Sequence, residues 1–250
     1  MRNSTKKRAT LAAAVLSTAL VAVSLGSGTA AYAGVTAPVG NVGKFKQSFV
    51  ENFSTTAAAN GAFAKTYKNS WQPYPDAGQY SSGSQISSHD GLMDVKLDGA
   101  NGAAGTFGTP TGAWSHVGGK FTVRAKATGG DGNGAAFMLW PSSNTWSDGE
   151  IDFPEGNFEA TPMAFQHSMT PGQEANSTMI SSGVNWRAWH TYSVEWIPGK
   201  SMTYSVDGKV IRTTTTDVPT TAHRYMFQVG NWGASGHLFV DWVSTYDYVG

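Results

Sequence analysis

Short segments in which apolar and polar residues alternate recur along the chain, and helical periodicity is almost absent. Residues 121–126 alternate strictly, as do residues 191–196. An Asp-Gly pair at 207–208, typical of tight hairpin turns, separates two further strand-like segments, 202–206 and 209–212. Alternation with a period of two is typical of half-buried strands. The pattern therefore predicts an all-β fold, a β-jelly-roll sandwich of two antiparallel sheets with a concave cleft wide enough for a polymer.

The composition excludes several other classes of protein. Charged residues make up only 14% of the 250 residues, too few for a long coiled coil, and aromatic residues make up 12%, too many for a disordered chain. The chain contains no cysteine, so disulfides, thiolate metal sites and cysteine nucleophiles are excluded. What remains is a globular domain held together by its hydrophobic core.

The first 33 residues have the pattern of a secretory signal peptide. A basic start is followed by an apolar stretch at 11–26 and by the small-x-small triplet Ala-Tyr-Ala at 31–33. The apolar stretch is shorter than the about 20 residues that a membrane span needs. We expect cleavage after Ala33, export of the protein, and one catalytic domain over residues 34–250 that no longer contacts the membrane.

The charge distribution excludes polyanions as partners. Four of the 17 basic residues lie within the first eight positions, so the remaining 13 basic and 17 acidic residues give a net charge of −4. A mildly acidic chain without a stripe of lysine and arginine does not attract nucleic acid or an anionic membrane surface. We expect a monomer that acts alone.

One segment, residues 147–156, concentrates acidic side chains. Glu150 and Asp152 are two residues apart, which places them on the same face of a strand. Strict alternation would place Glu155 on the opposite face, but a single β-bulge after Asp152 shifts the alternation by one residue and returns it. Pro154 favours a bulge there, because proline cannot donate to a strand ladder. The segment predicts three carboxyl groups on one surface.

Crowded carboxylates push their pKa values apart, so that one ionises easily while a neighbour keeps its proton. A retaining glycosidase needs this division, with one carboxylate as nucleophile and a protonated partner about 5–5.5 Å away as acid. A solvated acidic strand face and a calcium site are the alternatives that the residues alone leave open.

The surrounding sequence narrows these alternatives. The run Glu-Ile-Asp-Phe-Pro-Glu at 150–155 resembles the Glu-x-Asp-x-x-Glu signature of glycoside hydrolase family 16, in the bulge-containing form of laminarinases and agarases. Three further segments resemble strands of the same family in the same order, and these are residues 136–141, 189–196 and 239–243. The resemblance extends from about residue 45 to residue 248.

The resemblance implies an activity and residue roles. It implies Glu150 as nucleophile, Glu155 as acid/base and Asp152 as the carboxylate that tunes their ionisation. The implied activity is endo-hydrolysis of a β-1,3- or mixed-linkage glucan, with a galactan such as agarose as the alternative substrate. Met138 stands where many members have tryptophan, so the substrate cannot be copied from any one subfamily. A non-catalytic, lectin-like carbohydrate-binding module and an inert cell-surface matrix protein are the alternatives of other classes.

Other residues are candidates for binding sugar. Trp146, just before the acidic segment, and Trp140 offer flat aromatic faces, with core packing as the alternative. His167 can face the sugar from the neighbouring strand or serve as a structural histidine. Trp232, in a loop-like Gly-Asn-Trp-Gly run, and Gln228, which can bond a hydroxyl, complete the substrate-binding set.

No cofactor is needed for this chemistry. Members of the resembled family often hold a structural Ca²⁺ on the outer face, and here Asp241 could supply a carboxylate and Gly91 a backbone carbonyl. The sequence lacks the dense Asp/Asn loop of strong calcium motifs. We find no phosphate loop, dinucleotide fingerprint or zinc-type histidine pair in the chain.

Overall fold

The structure is a computed structural model that describes residues 35–74, 82–129, 132–230 and 234–250. The predicted signal peptide lies outside the described residues, and the described residues belong to one compact unit. Among them, no helix has both the length and the apolar character that crossing a membrane requires.

Strands dominate the described parts of the chain. The helical elements are α1 (Ala62–Thr66), α2 (Ser82–Gln85) and one 3₁₀ turn (Trp146–Asp148). The strands, in chain order, are β1 (Phe45–Glu51), β2 (Trp71–Pro73), β3 (Ile86–His89), β4 (Leu92–Asp98), β5 (Ala103–Phe107), β6 (Gly119–Gly129), β7 (Gly134–Pro141), β8 (Ile151–Asn157), β9 (Met163–His167), β10 (Ser177–Ser181), β11 (His190–Ile197), β12 (Ser201–Val206), β13 (Lys209–Thr214), β14 (His223–Gly230) and β15 (Ser235–Tyr248).

Two antiparallel sheets contain all of the strands named above. One has the order β13-β12-β11-β6-β15-β4-β3, with β1 paired to the far end of β15. The other has the order β10-β9-β8-β7-β14-β5-β2. The non-sequential order, in which the chain crosses repeatedly between the two sheets, is that of a jelly roll. The predicted fold class is confirmed.

The alternation read in the sequence is the reason the sheets pack. Apolar residues at every second position of β6, β11, β7, β8 and β14 lie between the two sheets and are buried. Aromatic rings meet across the interface, with Phe121 and Tyr225 at 5.4 Å between ring centroids and Phe153 at 5.4 Å from Tyr192. Because such rings bury large apolar areas, the core fixes both sheets in place.

The hairpin predicted at residues 207–208 joins β12 to β13. Asp207 has φ 49° and Gly208 has φ 79°. Two successive positive φ values are those of the hairpin turn whose twist matches the flanking strands. The segment 136–141, which resembles a strand of the family, lies within β7, and the odd-numbered residues 135, 137 and 139 of this strand face the core.

Candidate active site

The acidic segment forms β8, an inner strand of the seven-stranded sheet, between β7 and β9. Glu150 directly precedes β8, at the end of the 3₁₀ turn, and Gly149 joins the two with φ 109°. Ile151 and Phe153 point into the core, where both are buried. The intervening side chain, Asp152, therefore points to the opposite face of the sheet.

A β-bulge lies where the sequence predicted it. A single residue of β7, Phe137, lies between the partners of Asp152 and Glu155, whereas β8 has two residues there, Phe153 and Pro154. The register shifts between the same two residues against β9. The Phe153–Pro154 peptide bond is cis. The extra residue returns Glu155 to the face that carries Asp152.

The three carboxyl groups share that face with a histidine from β9. His167 Nε2 lies 3.3 Å from Asp152 Oδ2 and 3.9 Å from Glu150 Oε2. On its other side, His167 Nδ1 donates to the backbone carbonyl of Glu174 at 2.7 Å. The expectation that His167 lies on the neighbouring antiparallel strand is confirmed. The His167 ring lies between a backbone carbonyl and two carboxyl groups, so its charge influences the ionisation of the acidic cluster.

Burial sets the ionisation of the cluster. Asp152 is only 1% exposed, and burial raises its pKa well above the usual value, with the neighbouring carboxylates adding to the rise. Burial alone would lower the pKa of His167, but the hydrogen bonds to Asp152 and to the Glu174 carbonyl, with the charges of Asp152 and Glu150, raise it to about 9. At neutral pH the imidazolium supplies a positive charge to the group.

The two glutamates are in different electrostatic environments. Burial raises the pKa of Glu150, while the His167 charge and a hydrogen bond from the Trp146 indole lower it. Burial also raises the pKa of Glu155, and the negative charge of Glu150 raises it further, against the opposing charge of His167 and a hydrogen bond with Asp152. The stabilising donors favour ionisation at Glu150, and the like charge favours a proton on Glu155.

The other predicted sugar-binding residues have different placements. Trp146 is 38% exposed, and its ring lies 5.6 Å from that of His167, beside Glu150. Trp140 and Gln228 lie on β7 and β14 at positions that face away from the core, like Asp152. Trp232 lies outside the described residues. Sugar binding by these side chains stays a prediction.

Sequence reasoning missed the other occupants of this face. Arg224 is on β14 beside Trp140, and Trp114 and Asn144 come from loops next to it. Alternation along β14 was the available signal for Arg224, since it is four residues from Gln228 and therefore on the same face. No sequence pattern predicts that Trp114 lies on this face, because it belongs to a loop, where side-chain alternation does not apply.

The residues predicted to hold calcium do not fit a calcium site. Asp241 Oδ2 accepts a hydrogen bond from Arg124 Nε at 3.0 Å, so an arginine already balances this carboxylate. Ca²⁺ requires six to eight oxygen ligands with net negative charge. We assign no metal to Asp241 and Gly91.

A second group of side chains has the right atoms for a metal. Within the described ranges, Glu150, Asp152 and His167 form the group of three whose ligand atoms lie within 4.8 Å of one another. A histidine binds a metal ion only when its imidazole is neutral, whereas the raised pKa keeps the His167 imidazole protonated near neutral pH. The arrangement suits proton and charge chemistry better than metal binding.

Comparison with known proteins agrees with this geometry. The family model described as "Glycosyl hydrolases family 16" matches residues 75–248. No curated protein sequence matches the chain. A laminarinase catalytic domain from Thermotoga petrophila is 17% identical with a TM-score of 0.64, covering 84% of this chain and 100% of that one.

Two further solved structures have similar folds. β-Agarase A from Zobellia galactanivorans is 16% identical with a TM-score of 0.63, covering 86% of this chain and 97% of its own. A structure described in work on endo-acting O-glycanases of human gut bacteria is 14% identical with a TM-score of 0.65, covering 80% and 99%. At such identities the likeness establishes the fold alone.

Proposed function

Because the chain belongs to glycosyl hydrolase family 16, we propose that it is a secreted, retaining endo-β-glycosidase that cleaves a β-1,3- or mixed-linkage glucan. The observation that carries the proposal is the bulge between Asp152 and Glu155, which returns Glu155 to the face of the other two carboxyl groups. The signal-peptide pattern of residues 1–33 supports secretion.

The electrostatic environments of the two glutamates support the roles that we propose for them in a double displacement. Glu150, whose ionised form the His167 charge and the Trp146 indole favour against the effect of burial, attacks the anomeric carbon while Glu155 donates its proton to the departing glycosidic oxygen. This forms a glycosyl ester on Glu150. The deprotonated Glu155 then takes a proton from water, which displaces Glu150 and releases the sugar with its original configuration.

Asp152 and His167 keep these two roles apart. The buried Asp152 lies between the glutamates and pairs with His167 at 3.3 Å, and burial raises its pKa. The His167 imidazolium offsets the charge of the ionised Glu150.

The choice of substrate rests on the charge of the cleft. Three carboxyl groups line its centre, and the cation beside them, His167, is already engaged by Asp152. His167 therefore offers no free positive charge to an acidic or sulfated sugar, which favours a neutral polymer. Both a laminarinase and a β-agarase share the fold, so agarose remains the alternative to a glucan.

A panel of defined polysaccharides tests the proposal. Laminarin, mixed-linkage glucan, agarose and a sulfated galactan are incubated with the protein lacking residues 1–33, and new reducing ends and product masses are measured. We expect oligosaccharides from at least one neutral polymer and none with Glu150→Gln. Equal product release by that variant would reject the site. Retention of the polymer by both proteins without cleavage would instead favour a carbohydrate-binding module.

Replacing His167 by asparagine is expected to move the pH profile of kcat/KM to higher pH. The His167 charge lowers the pKa of both glutamates, so its removal raises both values. The acidic limb follows ionisation of Glu150 and the basic limb follows deprotonation of Glu155, and both limbs therefore move upward. Initial rates between pH 4 and pH 9 provide the measurement.

His190→Asn is the matched control for this variant. His190 also pairs with an aspartate, Asp207, at 2.7 Å, but it lies on the other sheet. We expect its pH profile to coincide with that of the unmodified protein. A His167→Asn profile that moves to lower pH, or does not move, would contradict the assigned electrostatic role.

A further inference from the structure

An arginine is buried on the cleft face of the seven-stranded sheet. Arg224 of β14 is only 5% exposed, and none of the ion pairs found among the described residues includes it. Burying a guanidinium is costly unless all of its donors find partners. The partners of Arg224 therefore reveal what the group is for.

Neutral oxygens of the cleft wall take all of the guanidinium donors. Nε and Nη2 donate to the Tyr74 hydroxyl at 3.0 and 2.8 Å. Nη1 and Nη2 each donate to Asn144 Oδ1 at 3.0 Å, and Nη1 also donates to the Pro141 carbonyl at 3.3 Å. An arginine has five N–H donors, and five bonds are formed here. No donor remains for an anionic group of a substrate.

The face of the guanidinium carries an exposed tryptophan. The Arg224 carbon Cζ lies 4.1 Å from the centre of a Trp114 ring, although Trp114 is 40% exposed. Such a contact is a close cation–π pair. The indole N–H of Trp140 donates to the same Asn144 oxygen that the guanidinium uses. Arg224 thus ties together two tryptophans from separate parts of the chain.

The strand register places this group next to the catalytic carboxylates. Arg224 pairs with Trp140 across β14 and β7. Leu139 pairs with Ile151 across β7 and β8, so Trp140 lies beside Glu150. Glu150, Trp140 and Arg224 therefore lie side by side on three neighbouring strands, and neighbouring strands are about 4.8 Å apart.

We propose that Arg224 is a positioning residue that fixes Trp114 and Trp140 as an aromatic subsite for an uncharged pyranose unit on the β7–β14 side of Glu150. The hydrogen bonds of Arg224 hold Tyr74 and Asn144 in place beside the cleft. Its planar face stacks against Trp114, whose exposed ring can then lie against a sugar. This inference rests on the proposed function and names the part of the cleft that grips the polymer.

Substituting Arg224 and Trp114 singly and together tests the subsite. With the polysaccharide that the panel identifies, Arg224→Gln and Trp114→Ala are each expected to raise KM about tenfold, the loss of one such stacking contact, while kcat changes less than twofold. Since Arg224 acts through Trp114 and Trp140, the double variant should lose less than the sum of the losses in Arg224→Gln and Trp114→Ala. Arg224→Lys keeps the charge without the planar fork and should recover only part of the affinity.

Arg124→Gln controls for the loss of a packed arginine. Arg124 also stacks near a tryptophan, Trp189 at 5.4 Å, and binds a neighbouring side chain, but it lies on the other sheet. Thermal unfolding of all variants separates stability from binding. We expect Arg124→Gln to lower the Tm without changing KM.

Binding to a catalytically inactive protein keeps the two proposals distinguishable. In the Glu150→Gln background, calorimetric titration with a β-1,3-linked glucohexaose and with an agarohexaose should show weaker binding of one sugar when Trp114 or Arg224 is replaced. Cleavage by the unmodified protein with unchanged KM in both variants would overturn the subsite alone. Neither binding nor cleavage of any neutral polymer would overturn both proposals. Additive losses in the double variant would show that Arg224 does not act through Trp114.

Discussion

Glu150→Ala is expected to lower kcat by roughly 10⁴-fold or more, and Glu155→Ala by about 10²–10⁴-fold, with opposite responses to azide. Without the Glu150 carboxylate, azide can attack the anomeric carbon once and yield a glycosyl azide of inverted configuration. Without Glu155, the glycosyl ester on Glu150 still forms from an activated aryl glycoside. Azide then opens that ester and yields a glycosyl azide of retained configuration.

The product configurations, read by proton NMR, separate nucleophile from acid/base. Glu195→Ala is the control, because Glu195 lies on the other sheet, paired with Lys120 at 2.9 Å. It should retain full activity and show no response to azide. The reverse pattern, with inverted azide from Glu155→Ala, would exchange the two roles.

Phe153→Ala is expected to lower the free energy of unfolding by about 3–5 kcal/mol, the usual cost of truncating a buried phenylalanine. Phe153 is the bulge residue that faces the core, where its ring makes edge contacts with Tyr192 at 5.4 Å and Tyr204 at 5.6 Å. Chemical denaturation followed by tryptophan fluorescence measures the change.

The same substitution should also alter the site. A looser bulge admits water to Glu155, whose pKa burial raises, so the basic limb of the pH profile should move to lower pH. Phe227→Ala is the matched control, because Phe227 is equally buried in the core on β14. We expect a similar loss of stability there with an unchanged pH profile. Identical profiles for both variants would mean that Phe153 does not hold the carboxyl groups in place.

Local patterns in the sequence predict most of the fold. The alternation at residues 121–126 and 191–196 became β6 and β11, and the Asp-Gly pair became the β12–β13 turn. The bulge was also predictable from the spacing of the three acidic residues. Glu150, Asp152 and Glu155 can lie on the same face of a strand only if one extra residue is inserted between Asp152 and Glu155. In each case the signal lies within a few consecutive residues.

What the sequence did not reveal depends on contacts between distant segments. Arg224 and Tyr74 are 150 positions apart, yet the guanidinium and the hydroxyl form two hydrogen bonds. The pair of Arg124 with Asp241 joins residues 117 positions apart and displaces the calcium interpretation. The order of the strands in the sheets determines which distant residues become neighbours, and the alternation of apolar and polar residues does not specify that order.

The anomeric configuration of the first product tests the central claim most directly. The bulge places Glu155 and Glu150 on one face with contrasting electrostatic environments, which suits a covalent double displacement. Proton NMR recorded during the first minutes of hydrolysis of a β-linked oligosaccharide should therefore show the β anomer first, followed by slow mutarotation. Initial appearance of the α anomer would mean a single displacement by water, and would contradict Glu150 as the nucleophile.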